Sequence, residues 1–463
     1  MEIKIFNTLG KEKTVFKSIV QGKVGIYSCG PTVYNYAHIG NLRAYVFADI
    51  LRRMFEFNNF EVKQIINITD VGHLSDDGDE GEDKMEKGAK REGKTVWDIA
   101  RFYEGEFLKD MNLLNILPAT KYTRATEHIF DMIEMIKGIE KNGLTYVAGG
   151  NVYFDTSKIK DYGKLANLKL DEESIRSRVE KDPNKKNYFD FVLWFTNHKY
   201  ANHAMMWDSP WGRGFPGWHI ECSAMSSKYL GEHFDIHTGG IDHVPVHHTN
   251  EIAQAEGCFG HKWVNYWMHN EFLVVKDDEK MAKSAGNFLR LQSILDNGFS
   301  ALDYRYFLLG THYRKKIMFS WEAMEGARNA LKKLKNKISE LKKEESEFSQ
   351  EKFDVWNNKF TEQINDDLNT PNTLAVLWDL LNDSNTSSTT KLKLVDSFDS
   401  VLGLNLLKEE SINIPARIKE LAEKRWEAKQ EKNWVLSDSL RNEIKEKGYE
   451  ILDSKETYEI KKI

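Results

Sequence analysis

The sequence predicts an α/β protein: a parallel sheet split by an insertion, followed by an α-helical bundle and a small C-terminal α+β unit. Three observations predict it. A strand, a helix and a second strand succeed one another between Lys23 and Thr69. A second strand–helix pair begins at Phe234, and from about Trp321 the chain turns rich in Lys and Glu at helical spacing. Strand–helix–strand units of this length build parallel sheets, so two such stretches far apart imply one sheet interrupted by inserted chain.

Taken in order, Lys23-Val24-Gly25-Ile26-Tyr27-Ser28-Cys29 reads as a short buried strand broken by Gly30-Pro31. Helical spacing then covers Asn41 to Phe57, with Leu42, Val46, Ile50 and Met54 four apart on one face and Arg43, Asp49 and Arg52 off it. Phe60 to Thr69 is strand-like again. From about Lys121 to Tyr200 the texture changes, with a helix over 129–141 and a strand-like Val152-Tyr153-Phe154-Asp155. Phe234-Asp235-Ile236-His237 resumes as a strand, followed by Gly239-Gly240 and a helix from about His247. The predicted divisions are 1–120 and 204–320 for the halves of a Rossmann-like nucleotide-binding domain, and 121–203 for the inserted connective domain. The helical bundle follows over 321–405, and the α+β unit over 406–463 has strands around Tyr449–Leu452 and Tyr458–Ile460.

Composition narrows the function. A chain of 463 residues with 41% hydrophobic content suggests about three domains with real cores. Three cysteines are too few for a disulfide scaffold and fit a reducing compartment. No run approaches the ~18 apolar residues of a membrane span, and Met1 to Ile5 has no basic-then-apolar signal pattern, so a cytoplasmic location is expected. A net charge of −6 disfavours a nonspecific nucleic-acid coat and leaves room for a selective RNA-binding enzyme. The acidic stretch His73 to Asp83 does not fit a calcium-loop spacing and reads as a solvated surface loop.

Three groups of residues carry chemistry. Cys29-Gly30-Pro31-Thr32 and Ala37-His38-Ile39-Gly40-Asn41 make a strand–loop–helix corner where backbone N–H groups and the helix dipole can hold an anion. Gly40 allows close approach of a nucleotide and His38 adds a donor; a plain capped helix is the alternative. Lys280-Met281-Ala282-Lys283-Ser284 follows an apolar strand, and two lysines three apart can neutralise a departing pyrophosphate, unless they are simply solvated. His247 and Glu251, four apart on a helix, with Cys222 and Cys29 form a zinc-type donor set, though scattered and without a CxxC. The alternative is two small buried cysteines and a surface His/Glu pair.

Together these motifs resemble class I aminoacyl-tRNA synthetases, whose signatures are H-I-G-H and K-M-S-K-S. The stretches Tyr27-Ser28-Cys29-Gly30-Pro31-Thr32-Val33-Tyr34, Gly217-Trp218-His219-Ile220-Glu221-Cys222-Ser223-Ala224-Met225 and His247-His248-Thr249-Asn250-Glu251-Ile252-Ala253-Gln254 are similar to the cysteinyl-tRNA synthetase family, as is Asp366-Asp367-Leu368-Asn369-Thr370-Pro371. The resemblance runs nearly end to end. Asn41 departs from the second His, Ala282 from the first Ser, and the proline of Ile241-Asp242-His243-Val244-Pro245-Val246-His247 falls one place early. Geometry on a helix leaves open whether His247 or His248 faces the metal.

The resemblance implies zinc ligands at Cys29, Cys222, His247 and Glu251, one ion per chain. It implies triphosphate contacts from His38, Gly40 and Asn41 on one side and Lys280, Lys283 and Ser284 on the other. Thr69, Trp218 and Asp242 are implied in the amino-acid pocket, Asp242 receiving the ammonium, and His237 as an adenylate-side contact. Zinc suits a cysteine pocket because a shape-based site separates near-isosteres by only about a hundredfold, whereas a soft ion prefers thiolate to hydroxyl. The implied partners are ATP with Mg²⁺, L-cysteine and tRNA(Cys), for a chain expected to be a monomer without membrane contact. The terminal unit, with Arg417, Lys419, Lys424, Arg425, Lys429, Arg441, Trp426 and Trp434, is implied to read the anticodon, though each Trp reads more simply as core. A cysteine ligase acting on a small amine, and a non-catalytic RNA-binding paralogue, are the competing expectations. The anticodon region disfavours the first, and the intact lysines and ligand set the second.

Overall fold

The computed structural model describes residues 1–72, 84–167, 182–196, 204–275, 288–408, 415–454 and 457–462. The acidic stretch 73–83 and Lys280 to Ser284 lie outside the described residues. The chain divides into two compact units, Met1–Leu406 and Leu407–Ile463.

The larger unit is built on five strands. β1 (Lys23–Ser28) feeds α1 (Ile39–Phe57), which returns to β2 (Glu61–Ile68), and β3 (Lys121–Arg124) lies beyond β2. After the insertion come α2 (Trp218–Leu230), β4 (Phe234–Gly240), α3 (His247–Phe259) and β5 (Val264–Asn270). The strand order is β5–β4–β1–β2–β3, and every neighbouring pair is parallel. The order reverses between β1 and β4, and doubly wound sheets bind ligands outside the strands' carboxyl ends at such a switch point.

The insertion carries its own antiparallel sheet from Thr145–Ala148, Asn151–Phe154, Phe191–Phe195 and Phe215–Pro216. Both expected edges of the insertion therefore move. Lys121–Arg124 belongs to the parallel sheet, pairing with β2, and the inserted sheet reaches Pro216 instead of stopping near 203.

Arg43 and Asp49 were expected off the buried face of α1, yet both are buried. The helix is covered on both sides, by the sheet and by the segment that follows β5, so its polar positions meet protein acceptors and donors in place of water. Beyond β5, β6 (Leu273–Val274) leads to residues 276–287; α4 (Ala301–Leu309) and β7 (Ile317–Met318) follow, β7 pairing in parallel with β6.

Four helices complete the unit: α5 (Trp321–Leu341), α6 (Gln350–Asn365), α7 (Thr370–Asn382) and α8 (Ser388–Leu402). Their amphipathic faces meet around buried Leu331, Phe360 and Phe398, the last two stacked with ring centroids 3.9 Å apart. Between α6 and α7, Asp367 and Leu368 adopt φ of 60° and 55°. That backbone turns the Asp367 carboxylate inward, where it accepts from the Phe6 N–H at 2.9 Å and the Tyr313 hydroxyl at 2.6 Å.

The smaller unit pairs α9 (Ala416–Gln430) and α10 (Trp434–Glu446) with an antiparallel hairpin, β8 (Tyr449–Asp453) and β9 (Tyr458–Lys462), over a core of Ile418, Leu421, Ala422, Ile444, Tyr449 and Ile451. The two tryptophans do not form that core. Trp434 is 57% exposed beside exposed Val435 and Leu436, and Trp426 lies half-buried against Tyr458. Arg425, expected among the phosphate-tracking cations, is buried and paired through both Nη atoms with Asp453, which also meets Lys429 and Arg441. Among the described residues no helix is long and apolar enough to cross a membrane.

Candidate active site and metal centre

At the switch point four elements deliver one cluster. Cys29 directly follows β1, the first turns of α2 carry His219 and Cys222, β4 carries His237, and the start of α3 carries His247, His248 and Glu251. The donor atoms of Cys29, Cys222, His247 and Glu251 all lie within 4.8 Å of one another. Those of Cys29, His237, His248 and Glu251 do so as well, so both neighbouring histidines of α3 reach the cluster.

Hydrogen bonding distinguishes the two sets. His237 Nε2 is 2.7 Å from Glu251 Oε2, which engages that nitrogen and orients the carboxylate. Glu251 Oε1 is buried without a hydrogen bond, although His247 Nε2 stands 2.9 Å away. Cys222 Sγ is 3.6 Å from the same nitrogen. Cys29 Sγ lies 3.2 Å from His248 Nε2. Sulfur, nitrogen and oxygen atoms thus converge, with Glu251 Oε1 left without a hydrogen bond, at spacings compatible with the ~2.0–2.3 Å bonds of a tetrahedral zinc site. A buried acceptor with no donor is costly unless a cation completes it. The donor set fits a zinc ion held by Cys29, Cys222, His247 and Glu251.

The outer contacts support that geometry. His247 Nδ1 lies 2.9 Å from His219 Nδ1, and His248 Nδ1 lies 2.7 Å from His269 Nε2, whose Nδ1 reaches the Thr8 hydroxyl at 2.8 Å. Contacts of this kind fix ring orientation around metal ligands. Burial opposes charge on His247, but Glu251 and Cys222 beside it push its pKa up to about 10. Burial likewise opposes charge on Glu251, and His237 and His247 outweigh it, drawing the carboxyl down to about 2. The pocket therefore favours a positive charge against the carboxylate, either a proton on His247 or a metal cation in its place. Burial keeps His243 neutral, with a pKa near 4, and depresses His248 and His269 as well.

Trp218 is half-buried with its ring centroid 4.3 Å from that of His247. Thr69 follows β2 and is buried, its hydroxyl donating to Glu221 Oε2 at 3.0 Å one residue before Cys222. Asp242 is exposed on the short turn after β4. His237 sits within the buried layer behind the cluster, stacked on Trp267 at 4.5 Å, and its Nε2 contact is Glu251.

The loop 29–38 joins the cluster to α1. His38 caps that helix: its Nδ1 accepts from the Asn41 N–H at 3.0 Å, and Asn41 Oδ1 accepts from the His38 N–H at 3.3 Å. Accepting at Nδ1 places the neutral ring's proton on Nε2, so His38 presents a donor there. Asn41, the departure from H-I-G-H, is the third residue of this capping box. Lys280, Lys283 and Ser284 lie outside the described residues.

The shell histidines His219, His243 and His269 carried no assigned role in the sequence, and His248 entered only as the alternative to His247 at the metal. Six of fourteen histidines gather here, from positions 219 to 269. Their density over fifty residues was the available signal, but no ligand spacing marks them.

The family described as tRNA synthetases class I (C) catalytic domain matches residues 15–329, and the DALR domain matches 359–407. Over 97% of both chains the protein is 49% identical to a cysteine–tRNA ligase of Treponema denticola. It is 44% identical to cysteine–tRNA ligase 1 of Burkholderia lata over 98% of this chain and 96% of that one. Among solved structures, methionyl-tRNA synthetase of Mycobacterium tuberculosis bound by methionyl-adenylate superposes with a TM-score of 0.56 at 15% identity, covering 82% of this chain and 90% of that one. LeuRS of Agrobacterium radiobacter, in ternary complex with tRNA and LeuAMS, superposes at 0.57 and 11% identity, covering 84% of each. The sheet order, the family match over most of the chain and the full-length relatives agree, and the chain belongs to the cysteinyl-tRNA synthetases, a family of class I aminoacyl-tRNA synthetases.

Proposed function

We propose that this chain activates L-cysteine with ATP·Mg²⁺ to cysteinyl-adenylate and pyrophosphate, then transfers the cysteinyl group to the 3′-terminal adenosine of tRNA(Cys). The observation that carries the reading is the convergence of two thiols, an imidazole and a buried carboxylate at the switch point of a nucleotide-binding sheet. Zinc held there would supply a soft Lewis acid with a position for the substrate sulfur, favouring thiolate over the hydroxyl of serine.

The chain's own residues do the rest. His237 holds Glu251 so that Oε1 faces the cluster. Through this contact His237 links the adenylate side, where resemblance places it, to the metal ligand. Trp218, packed on His247, walls the amino-acid pocket together with Thr69, and Asp242 receives the ammonium. His38, fixed with its proton on Nε2 by the cap, donates to the triphosphate, aided by the backbone at Gly40 and the start of α1, while Asn41 holds the cap. Lys280 and Lys283 neutralise charge that develops as pyrophosphate leaves the α-phosphorus, and Ser284 meets the triphosphate from the same side. The attacking atom is the substrate carboxylate oxygen, so no enzyme nucleophile is needed and rate comes from positioning and charge stabilisation. The smaller unit reads the anticodon.

Cysteine-dependent ATP–pyrophosphate exchange, followed by charging of tRNA bearing a GCA anticodon, tests the assignment. Exchange with cysteine and not serine is expected; no exchange with either overturns it.

A further inference from the structure

Arg43 lies two residues beyond Asn41 and is buried, with its guanidinium spent on main-chain carbonyls. Nη1 donates to Glu271 at 2.7 Å and Phe272 at 2.6 Å. Nη2 donates to Lys315 at 2.5 Å, Tyr313 at 3.3 Å and His312 at 3.4 Å. These carbonyls belong to two separate segments. Residues 271–272 enter β6, beyond which residues 276–287 carry the lysine motif, and residues 312–315 enter β7, the partner of β6. One side chain of α1 therefore ties both strands of that pair to the helix whose first turn is capped by His38.

Residues 288–290, which follow the lysine segment in the chain, meet the same turn. The Ile39 N–H donates to the Leu289 carbonyl at 2.9 Å, and the Phe288 ring stands edge-on to His38 with centroids 5.8 Å apart. The Arg290 guanidinium lies over the Tyr36 ring at 4.3 Å. The 312–315 turn is braced from behind, since Tyr313 stacks on Phe47 at 4.5 Å and its hydroxyl donates to Asp367. The first turn of α1 and the β6–β7 strand pair, far apart in sequence, share one anchor.

We infer that Arg43 is a positioning residue for adenylate formation: it sets the strand pair from which the lysine motif departs at a fixed place relative to the first turn of α1. The role rests on the ligase activity proposed for the chain. A planar fork with five donors can serve two carbonyl segments at once, and a lysine ammonium on a single point cannot. The Arg43 guanidinium is taken up by main-chain carbonyls and not by the metal donors, so its loss is expected to act on the rate of activation and to leave the cysteine pocket and the metal donors intact.

The test is Arg43→Lys in the full-length protein, with rates normalised to active sites titrated by adenylate formation. Displacements of about 1 Å at reacting groups cost up to about a hundredfold, so the exchange kcat per site is expected to fall about tenfold or more, with the KM for cysteine within about twofold and zinc content unchanged. Hydrogen exchange of peptides covering 271–275 and 312–318 is expected to quicken, while peptides of α2 and α3 keep their protection. Tyr313→Phe, which keeps the ring and loses only the bond to Asp367, gives a milder version of the same pattern and serves if Arg43→Lys does not fold. Unchanged kcat per site, or loss confined to the number of active sites, overturns the positioning role. If the unmodified protein lacks cysteine-dependent exchange, the ligase reading falls. The hydrogen-exchange comparison then still judges the anchor, and unchanged protection at both segments refutes it.

Discussion

Gly30→Ala should disable the metal centre through a backbone collision. Gly30 follows Cys29 where β1 leaves the sheet, and its N–H donates to Asn67 Oδ1 at 2.6 Å. A methyl at its Cα would sit 2.6 Å from the Asn67 carbonyl carbon, nearer still to the carbonyl oxygen, and 3.2 Å from Ile66 Cγ2. Ordinary carbon–carbon contacts begin near 3.5 Å, so the chain must yield by about 1 Å or more, against the Asn67 backbone carbonyl and the Ile66 side chain. Overpacking of that kind costs roughly 1–3 kcal/mol. The displacement falls on Cys29, so the donor set opens. Thermal unfolding, zinc stoichiometry and cysteine-dependent exchange should be measured on one preparation. The expected result is a lower Tm, less than half an equivalent of zinc and an exchange rate reduced by about a hundredfold. A variant with unchanged Tm, a full equivalent of zinc and normal exchange refutes the claim that this approach fixes Cys29.

Cys258→Ser should leave zinc content at one per chain by elemental analysis, because this thiol lies at the far end of α3 and burial raises its pKa to about 11. Lys283→Ala should slow single-turnover adenylate formation far more than it weakens cysteine binding, since its charge is needed chiefly as pyrophosphate departs; normal activation with poor cysteine affinity would contradict this. Truncation after Leu406 should retain near-normal pyrophosphate exchange and lose tRNA charging by about 1–3 kcal/mol per lost base contact, on the scale of direct base readout. Unchanged charging and anticodon selectivity in the truncated protein would remove the role given to the smaller unit.

The sheet was legible where strands are apolar and the helix between them is periodic, as over 23–69 and from Phe234 onward. β3 was not, because Lys121-Tyr122-Thr123-Arg124 is short and polar and earns its place by pairing with β2 at the sheet edge. The inserted sheet ran past its expected end because a two-residue strand ending in proline leaves no periodic trace. At the site, the candidate donors Cys29, Cys222, His247 and Glu251 were identifiable from motif resemblance. The orientation of Glu251 by His237 was not, since it depends on a strand and a helix facing one another. Arg43 and Asp49 show the limit of reading faces from one helix alone: a charge off the apolar stripe looks solvated until a second layer covers it. Trp434 erred in the other direction, an aromatic at a helical position that the small core leaves in water.

The bond from the Phe6 N–H to Asp367 spans 361 positions of sequence, and Lys4 pairs with Asp366 beside it. A ribosome adding roughly 5–20 residues per second needs roughly 20–70 s to cover that interval. The strand Lys4–Asn7, which pairs on one side with Glu12–Val15 in an antiparallel hairpin, must therefore wait, its other edge unpaired, until most of the chain has been made. The sheet can assemble meanwhile from its own neighbours, but the N-terminal hairpin is sealed only when the turn between α6 and α7 emerges. An arrest or cleavage before that point would release a chain whose catalytic sheet is largely formed and whose leading strand edge remains open to aggregation.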